Sequence, residues 1–331
     1  MRIRLIGFEN QVGNSRDLAI LDVALRGLGH DVEIVRVTRT ARRVRRWLAD
    51  VLAMRVRPRR SSHRDDARLC DLNVMLEHVW PTFLARARCN VIVPNPEWCD
   101  RADRRLLPQF DAIWAKTRYA AELFAPFGPP VHYIGFDSFD RYDAGVPRAP
   151  RCLHLAGKSR MKGTARLLRA WLAHPDWPAL TIVYSRAGVF EPQRGPNIRY
   201  QDEFIDDATL RRLQNEHLIH LCLSETEGWG HYIPEALSVG AIVLATDAPP
   251  MNELVSAERG LLVASAPLGQ QHLSRTFAFD ASALGRQLER ALAMDPRERQ
   301  LLQQNARRWF IDNKREFPTR LAAALRQLAI R

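Results

Sequence analysis

The chain of 331 residues has few cysteines, no long apolar run and too few acidic residues to balance its basic ones. Each shortage excludes something. The five cysteines (Cys70, Cys89, Cys99, Cys152 and Cys222) form no Cys-x-x-Cys pair and no metal spacing, so no disulfide framework is expected. They fit buried or incidental thiols in a reducing cytoplasm. No apolar stretch approaches the eighteen or so residues of a membrane span. The opening MRIRLIGFENQVG has too short an apolar run for a secretory signal. There is no Asp-x-Asp, His-Glu-x-x-His, EF-hand loop or Gly-x-Gly-x-x-Gly. Neither a metal nor a bound cofactor is expected.

The acid deficit gives a net charge of +12, from 49 Lys and Arg against 37 Asp and Glu. It is concentrated: residues 39–68 hold eleven arginines against Asp50, Asp65 and Asp66, an excess of eight and thus two thirds of the net charge. Within it, ARRVRRWLADVLAMRV puts Val44, Trp47, Leu48, Val51 and Leu52 on one helical face and Arg42, Arg43, Arg45 and Arg46 on the other. A basic amphipathic helix over about 40–57 either lies on an anionic membrane or packs its apolar face on the protein and leaves its arginines solvated. The first alternative makes the protein peripheral on the inner face of the membrane. Nucleic acid is the other anionic partner, but no nucleic-acid motif accompanies the charge.

What the chain does have is enough apolar residue, 46 %, for sizeable cores, and a length that suits two domains. Short apolar runs alternate with helical patterns. RIRLIGF, DVEIVRV, DLNVMLEH, CNVIVPN, DAIWAKT and VHYIGF read as strands, and DLAILDVALRGLGH as a helix stopped at Gly29. After DAGVPRAPR (143–151), a linker by composition, the alternation restarts with CLHLAG, ALTIVYS, NIRYQ, LIHLCLS, AIVLAT and GLLVA, and ends helical from about Ala281. The fold class is α/β, with two doubly wound Rossmann-like domains facing across a cleft. The boundaries read 1–147 and 148–314, with a helix at about 315–331 free to pack back on the first domain.

Ligands of such sheets bind just after the strands. There, SETEGWGHYIPEALSVGA (224–241) follows an apolar strand with Gly228 and Gly230, which let backbone approach a ligand. Pro234 suits a first helical position, Gly240 a stop, and Glu235 falls in the first turn. Free amides make an anion site, and a carboxylate accepts from both hydroxyls of a vicinal diol. The same residues also fit a plain turn with a capped helix. LAGKSRMKGTARLLRAW places Lys158, Arg160 and Lys162 on one loop, where an anion relieves their repulsion.

Glu227 and Glu235, with seven residues between them and opened by Glu-Gly-Trp-Gly, resemble the E-x7-E motif of retaining GT-B-fold glycosyltransferases, those like glycosyltransferase family 4 or "glycosyl transferases group 1". The Lys-Gly loop resembles theirs as well, and the likeness spans most of 151–265. It implies a sugar-nucleotide-dependent enzyme that needs no metal and moves a hexose from a nucleotide-diphosphate sugar to a hydroxyl acceptor; the basic helix adds the expectation that this acceptor is a glycan or lipid-linked glycan in polysaccharide biosynthesis. Carried over, Glu227 meets the donor sugar, the amides of Gly228, Trp229, Gly230 and His231 meet the diphosphate, and Glu235 takes the ribose diol. Lys162, Lys158 and Arg160 then balance the leaving group, with Glu203, Phe204 and, from the first domain, Gly13 also on the donor. The chain departs from the family after CNVIV: PNPEW stands where a histidine is usual, leaving Asn95 and Glu97 as its substitutes. Glu97 is placed to assist removal of the acceptor proton. His78 and Lys116 are the other acceptor-side candidates. The rival readings are a basic nucleic-acid-binding protein, a DNA-modifying glycosyltransferase, and a GT-B relative such as a sugar-nucleotide epimerase or a phosphorylase. The oligomeric state is left open by the sequence.

Overall fold

Two parallel sheets of six strands, each with its own helices and its own apolar core, account for most of the chain. The computed structural model describes residues 1–8, 13–37, 70–184, 190–201 and 205–328. The basic helix expected at 40–57, and Glu203 and Phe204, lie outside the described residues.

The first sheet is built from β1 (Arg2–Phe8), β2 (Asp31–Val37), β3 (Cys70–Leu76), β4 (Ala87–Val93), β5 (Ala112–Ala115) and β6 (Val131–Tyr133). They lie in the order β2-β1-β3-β4-β5-β6, all neighbours parallel. Central strands covered on both faces need continuous apolar sequence. CDLNVML in β3 and AIWA in β5 supply it and are almost wholly buried, whereas the edge strand β2 is only intermittently so. Helix Gly13–Gly27 packs Leu18, Leu21 and Leu25 inward, three and four residues apart as one helix face requires. Asp100 and Thr117 cap the next two helices by accepting from backbone N–H groups in their first turns.

The second sheet contains β7 (Ala149–Gly157), β8 (Leu180–Tyr184), β9 (Ile198–Gln201), β10 (His217–Cys222), β11 (Ile242–Thr246) and β12 (Leu261–Val263), in the order β12-β11-β10-β7-β8-β9 and again parallel. Strands β10 and β11 are buried at every residue. A separate pair, β13 (Ser265–Gln271) and β14 (Ser274–Phe279), follows.

The chain divides into a first unit of Met1–Asp137, Gln271–Ser274 and Lys314–Arg331, and a second of Ser138–Gln270 and Arg275–Asn313. The passage into the second unit thus falls at Ser138, ahead of the compositional linker at 143–151. The reason is local bonding. Arg141 donates its backbone N–H to Ser238 Oγ (3.0 Å) and its guanidinium to Gln214 (2.8 Å) and Asp207 (2.8 Å). Arg148 donates to the Gly240 carbonyl (2.7 Å), and Ala149 already belongs to β7. The helical end is two helices, Ala281–Ala293 and Pro296–Arg326, and the second is shared between the units.

Candidate functional site

In each sheet the strand order reverses direction at one place, and open α/β sheets bind ligands beyond the carboxyl ends of the strands that flank it. In the second unit that place lies between β7 and β10. The loop after β7 carries Lys158, Arg160 and Lys162, and the loop after β10 carries Glu227.

The two loops are tied together. Glu225 N–H donates to the Met161 carbonyl (2.7 Å), and Lys162 Nζ donates to Glu227 Oε1 (2.5 Å). Ser224 Oγ donates to the same Oε1 (2.5 Å) and lies 2.5 Å from the Tyr232 hydroxyl. Lys162 Nζ also stands 3.7 Å from the centroid of the Tyr232 ring, a cation–π contact. Burial pushes the Tyr232 hydroxyl well above the ordinary phenol range, so it stays protonated.

Two glycines make this geometry possible. Gly163, at φ 70°, ends the short turn Arg160–Lys162, and a Cβ there would lie 2.3 Å from the Leu223 carbonyl oxygen. Gly230, at φ 72°, would set a Cβ 3.0 Å from Cγ of Glu227. Side chains are excluded from both positions by the left-handed backbone and by the neighbour. Below the site His154, on β7, bonds the Leu221 carbonyl through Nδ1 (2.9 Å) and Thr164 Oγ1 through Nε2 (2.8 Å), and burial holds its pKa down at about 4. Glu225 is also shifted upward by burial.

The helix Tyr232–Ser238 starts two residues earlier than Pro234 predicts. His231 already has helical dihedrals after the Gly230 turn, so Pro234 falls at the third helical position, where its missing N–H is still without cost. Gly240 leaves the helix at φ 64°, as expected. Glu235 is 1 % exposed and accepts from Gln214 Nε2 (3.0 Å), which Arg141 holds in turn. Trp229 is buried and donates its indole N–H to Ser138 Oγ (3.0 Å), and His231 Nδ1 meets that same oxygen (2.9 Å). Both side chains are therefore engaged within the unit. The amides of Gly228 and Gly230 have no hydrogen-bond partner, and Lys158 and Arg160 are exposed with no ion pair, among the described residues. Free amides and unpaired cations around one loop pair are what an anion uses.

In the first unit the predicted residues converge on the carboxyl ends of the strands. Lys116, after β5, is buried; it pairs with Asp17, donates to Asn95 Oδ1 (3.0 Å), and lies 4.8 Å from the Phe136 ring centroid. His78, after β3, meets the fully buried Asp103 through Nδ1 (2.8 Å). Glu97 is 5 % exposed. Gly13 opens the first helix, with open space around its missing side chain. Sequence reading missed Asp17, Asp103, Ser138, Gln214, Ser224 and Tyr232. The partners of the first four lie twenty or more residues away, whereas Ser224 and Tyr232 bond within a stretch already marked by its glycines. No group of three His, Cys, Asp or Glu could share a metal, and no helix is long and apolar enough to cross a membrane, among the described residues.

No protein-family model matches the chain, and no curated protein matches it in sequence. Solved structures do share its fold. Sucrose-phosphate synthase from Thermosynechococcus elongatus superimposes with a TM-score of 0.70 at 15 % identity, over 99 % of each chain. The E. coli trehalose-6-phosphate structure bound with UDP-2-fluoro glucose gives 0.67 at 12 % identity, over 98 % of this chain and 99 % of that one. A glycosyltransferase from Rickettsia africae gives 0.67 at 12 %, over 99 % and 98 %. At such identities the likeness is one of fold, and the chain accordingly has the two-domain α/β fold found in GT-B glycosyltransferases.

Proposed function

We propose that the protein is a glycosyltransferase that moves a sugar, a hexose, from a nucleotide-diphosphate donor to a hydroxyl acceptor with retention of anomeric configuration. The observation that carries this reading is the Lys162–Glu227 pair (2.5 Å) at the switch point of the second sheet, beside the open amides of Gly228 and Gly230. Cation and amides suit a diphosphate, and the adjacent carboxylate suits sugar hydroxyls. Glu235, beside Gln214 (3.0 Å), is assigned to the ribose diol. In the reaction the bond from C1 to the diphosphate oxygen breaks and a bond from C1 to the acceptor oxygen forms on the same face. The acceptor proton passes to the departing phosphate. Lys162, Lys158 and Arg160 stabilise the charge that collects on the leaving group, with no metal assigned.

The acceptor in this reading is a glycan or lipid-linked glycan, and the excess of eight arginines over residues 39–68 supports attachment to an anionic membrane. A thermal-shift panel of UDP-, GDP-, ADP- and TDP-sugars tests the core of it. One donor is expected to raise the melting temperature, with no effect on Glu235→Ala, and to yield a glycoside of unchanged anomeric configuration. If the whole panel neither stabilises the protein nor is slowly hydrolysed by it, the reading falls.

A further inference from the structure

The first sheet has a switch point of its own, between β1 and β3, and it holds a carboxylate that the donor reading does not use. Glu77 immediately follows β3. Its φ is 63°, in the left-handed region where a residue with a long side chain carries a cost. His78 N–H donates to the Leu76 carbonyl (2.7 Å), closing a three-residue turn around Glu77, and Glu77 N–H donates to the Val93 carbonyl (2.9 Å) at the end of β4. Such turns with positive φ are rare and strained. Strain of this kind persists where the surroundings enforce it, and it gathers at binding sites.

The side chain is held as firmly as the backbone. Asn14 Nδ2, from the helix after β1, donates to Glu77 Oε2 (2.5 Å). His78 Nε2 stands 3.7 Å from the same oxygen, and its Nδ1 is anchored to Asp103 Oδ2 (2.8 Å), while Asp103 Oδ1 accepts from Val79 N–H (2.8 Å). Both contacts to the Glu77 carboxylate, from Asn14 and from His78, fall on Oε2. Oε1 has no partner among the described residues, although the side chain is only 12 % exposed. Oε1 is not closed off from solvent, so it is an acceptor that a ligand can reach, on a side chain already fixed through its other oxygen.

We infer that Glu77 is a ligand-binding carboxylate of the first unit, whose Oε1 accepts hydrogen bonds from the hydroxyls of a sugar, with Asn14 and His78 as positioning residues. The choice of a sugar as its ligand rests on the glycosyltransferase reading, whereas the open oxygen itself does not.

Saturation-transfer NMR on the full chain tests the inference, with methyl α-glucoside, methyl α-mannoside, methyl α-galactoside and N-acetylglucosamine as probes. At least one sugar is expected to give a signal with the wild type. The signal should fall about tenfold in Glu77→Gln and Glu77→Gly, the loss of a charge-assisted hydrogen bond, and by a smaller factor in Asn14→Ala. In Glu77→Gly the relief of φ and the loss of the Asn14 hydrogen bond oppose each other, so it should melt close to the wild type and report binding on a folded chain. No signal from any of the four sugars with the wild type, or an undiminished one with Glu77→Gln, overturns the inference. Thermal shifts with nucleotide sugars on the same proteins separate the two readings. A sugar signal without a nucleotide-sugar shift removes the glycosyltransferase reading alone; a shift without a sugar signal removes the Glu77 site alone.

Discussion

At the scale of the residue, the site depends on absent atoms as much as on present ones. Gly230→Ala would impose a left-handed φ of 72° on alanine and put a methyl 3.0 Å from Cγ of Glu227. The backbone cost alone is about 1–2 kcal/mol. The expected result is a lower melting temperature and loss of the nucleotide-sugar shift. Gly29→Ala is the control, since Gly29 has a similar φ of 83° with open space around it, and it should lower stability while leaving the shift intact. Calorimetry on both variants with the stabilising donor decides the matter. The glycines of this segment and its glutamates were legible in the sequence, but the pairing of Lys162 with Glu227 was not. Those two residues meet across sixty-five positions because β7 and β10 are neighbours, and adjacency of strands is a property of topology. Pro234 misled for a related reason: a proline at the third helical position satisfies the same local rule as one at the first.

At the scale of the element, the strands of parallel sheets were readable because double-sided burial requires short unbroken apolar runs. β13 escaped because Ser-Ala-Pro-Leu-Gly-Gln-Gln is mostly exposed and shows no alternation. The histidines within β7 and β10 have a consequence that apolar runs do not. His154 and His220 are buried as neutral rings, with pKa values lowered by burial to about 4 and about 3. In the unfolded chain both titrate near the ordinary value, about 6.5. The unfolded state therefore binds protons that the native state refuses, so stability should be constant above about pH 6.5 and fall as the pH drops toward 4. His154 alone contributes a loss on the order of 3 kcal/mol across that window. Urea unfolding at pH 7, 5.5 and 4.5 should show the decline; stability that stays level over this range would contradict the neutral buried state.

At the scale of the whole molecule, two domains, and a helix at about 315–331 free to pack back on the first, could be read from the length, the restart of alternation and the helical end; the return of the short segment Gln271–Ser274 could not. Lys314–Arg331 and Gln271–Ser274 both belong to the first unit. In the helix Pro296–Arg326, Phe317 and Leu321 are buried; Phe317 lies 5.2 Å from Phe136 between ring centroids, and Arg320 Nε donates to the Ile134 carbonyl (2.9 Å). Phe317→Ala should cost about 3–5 kcal/mol. Hydrogen exchange should place the loss in β5 and β6, while β10 and β11 keep their protection; a uniform loss would mean that the two units unfold as one.

That sharing also bears on how the protein comes into being. Domains are generally expected to fold in the order in which they are synthesised. Here the first sheet emerges early, yet the helix segment that covers Phe136 is translated only after the entire second sheet. The first unit must therefore wait, with part of its core uncovered, while its neighbour is made. A cell producing this protein meets that exposed surface on every ribosome that carries it, and the place to look for chaperone dependence is the nascent first unit.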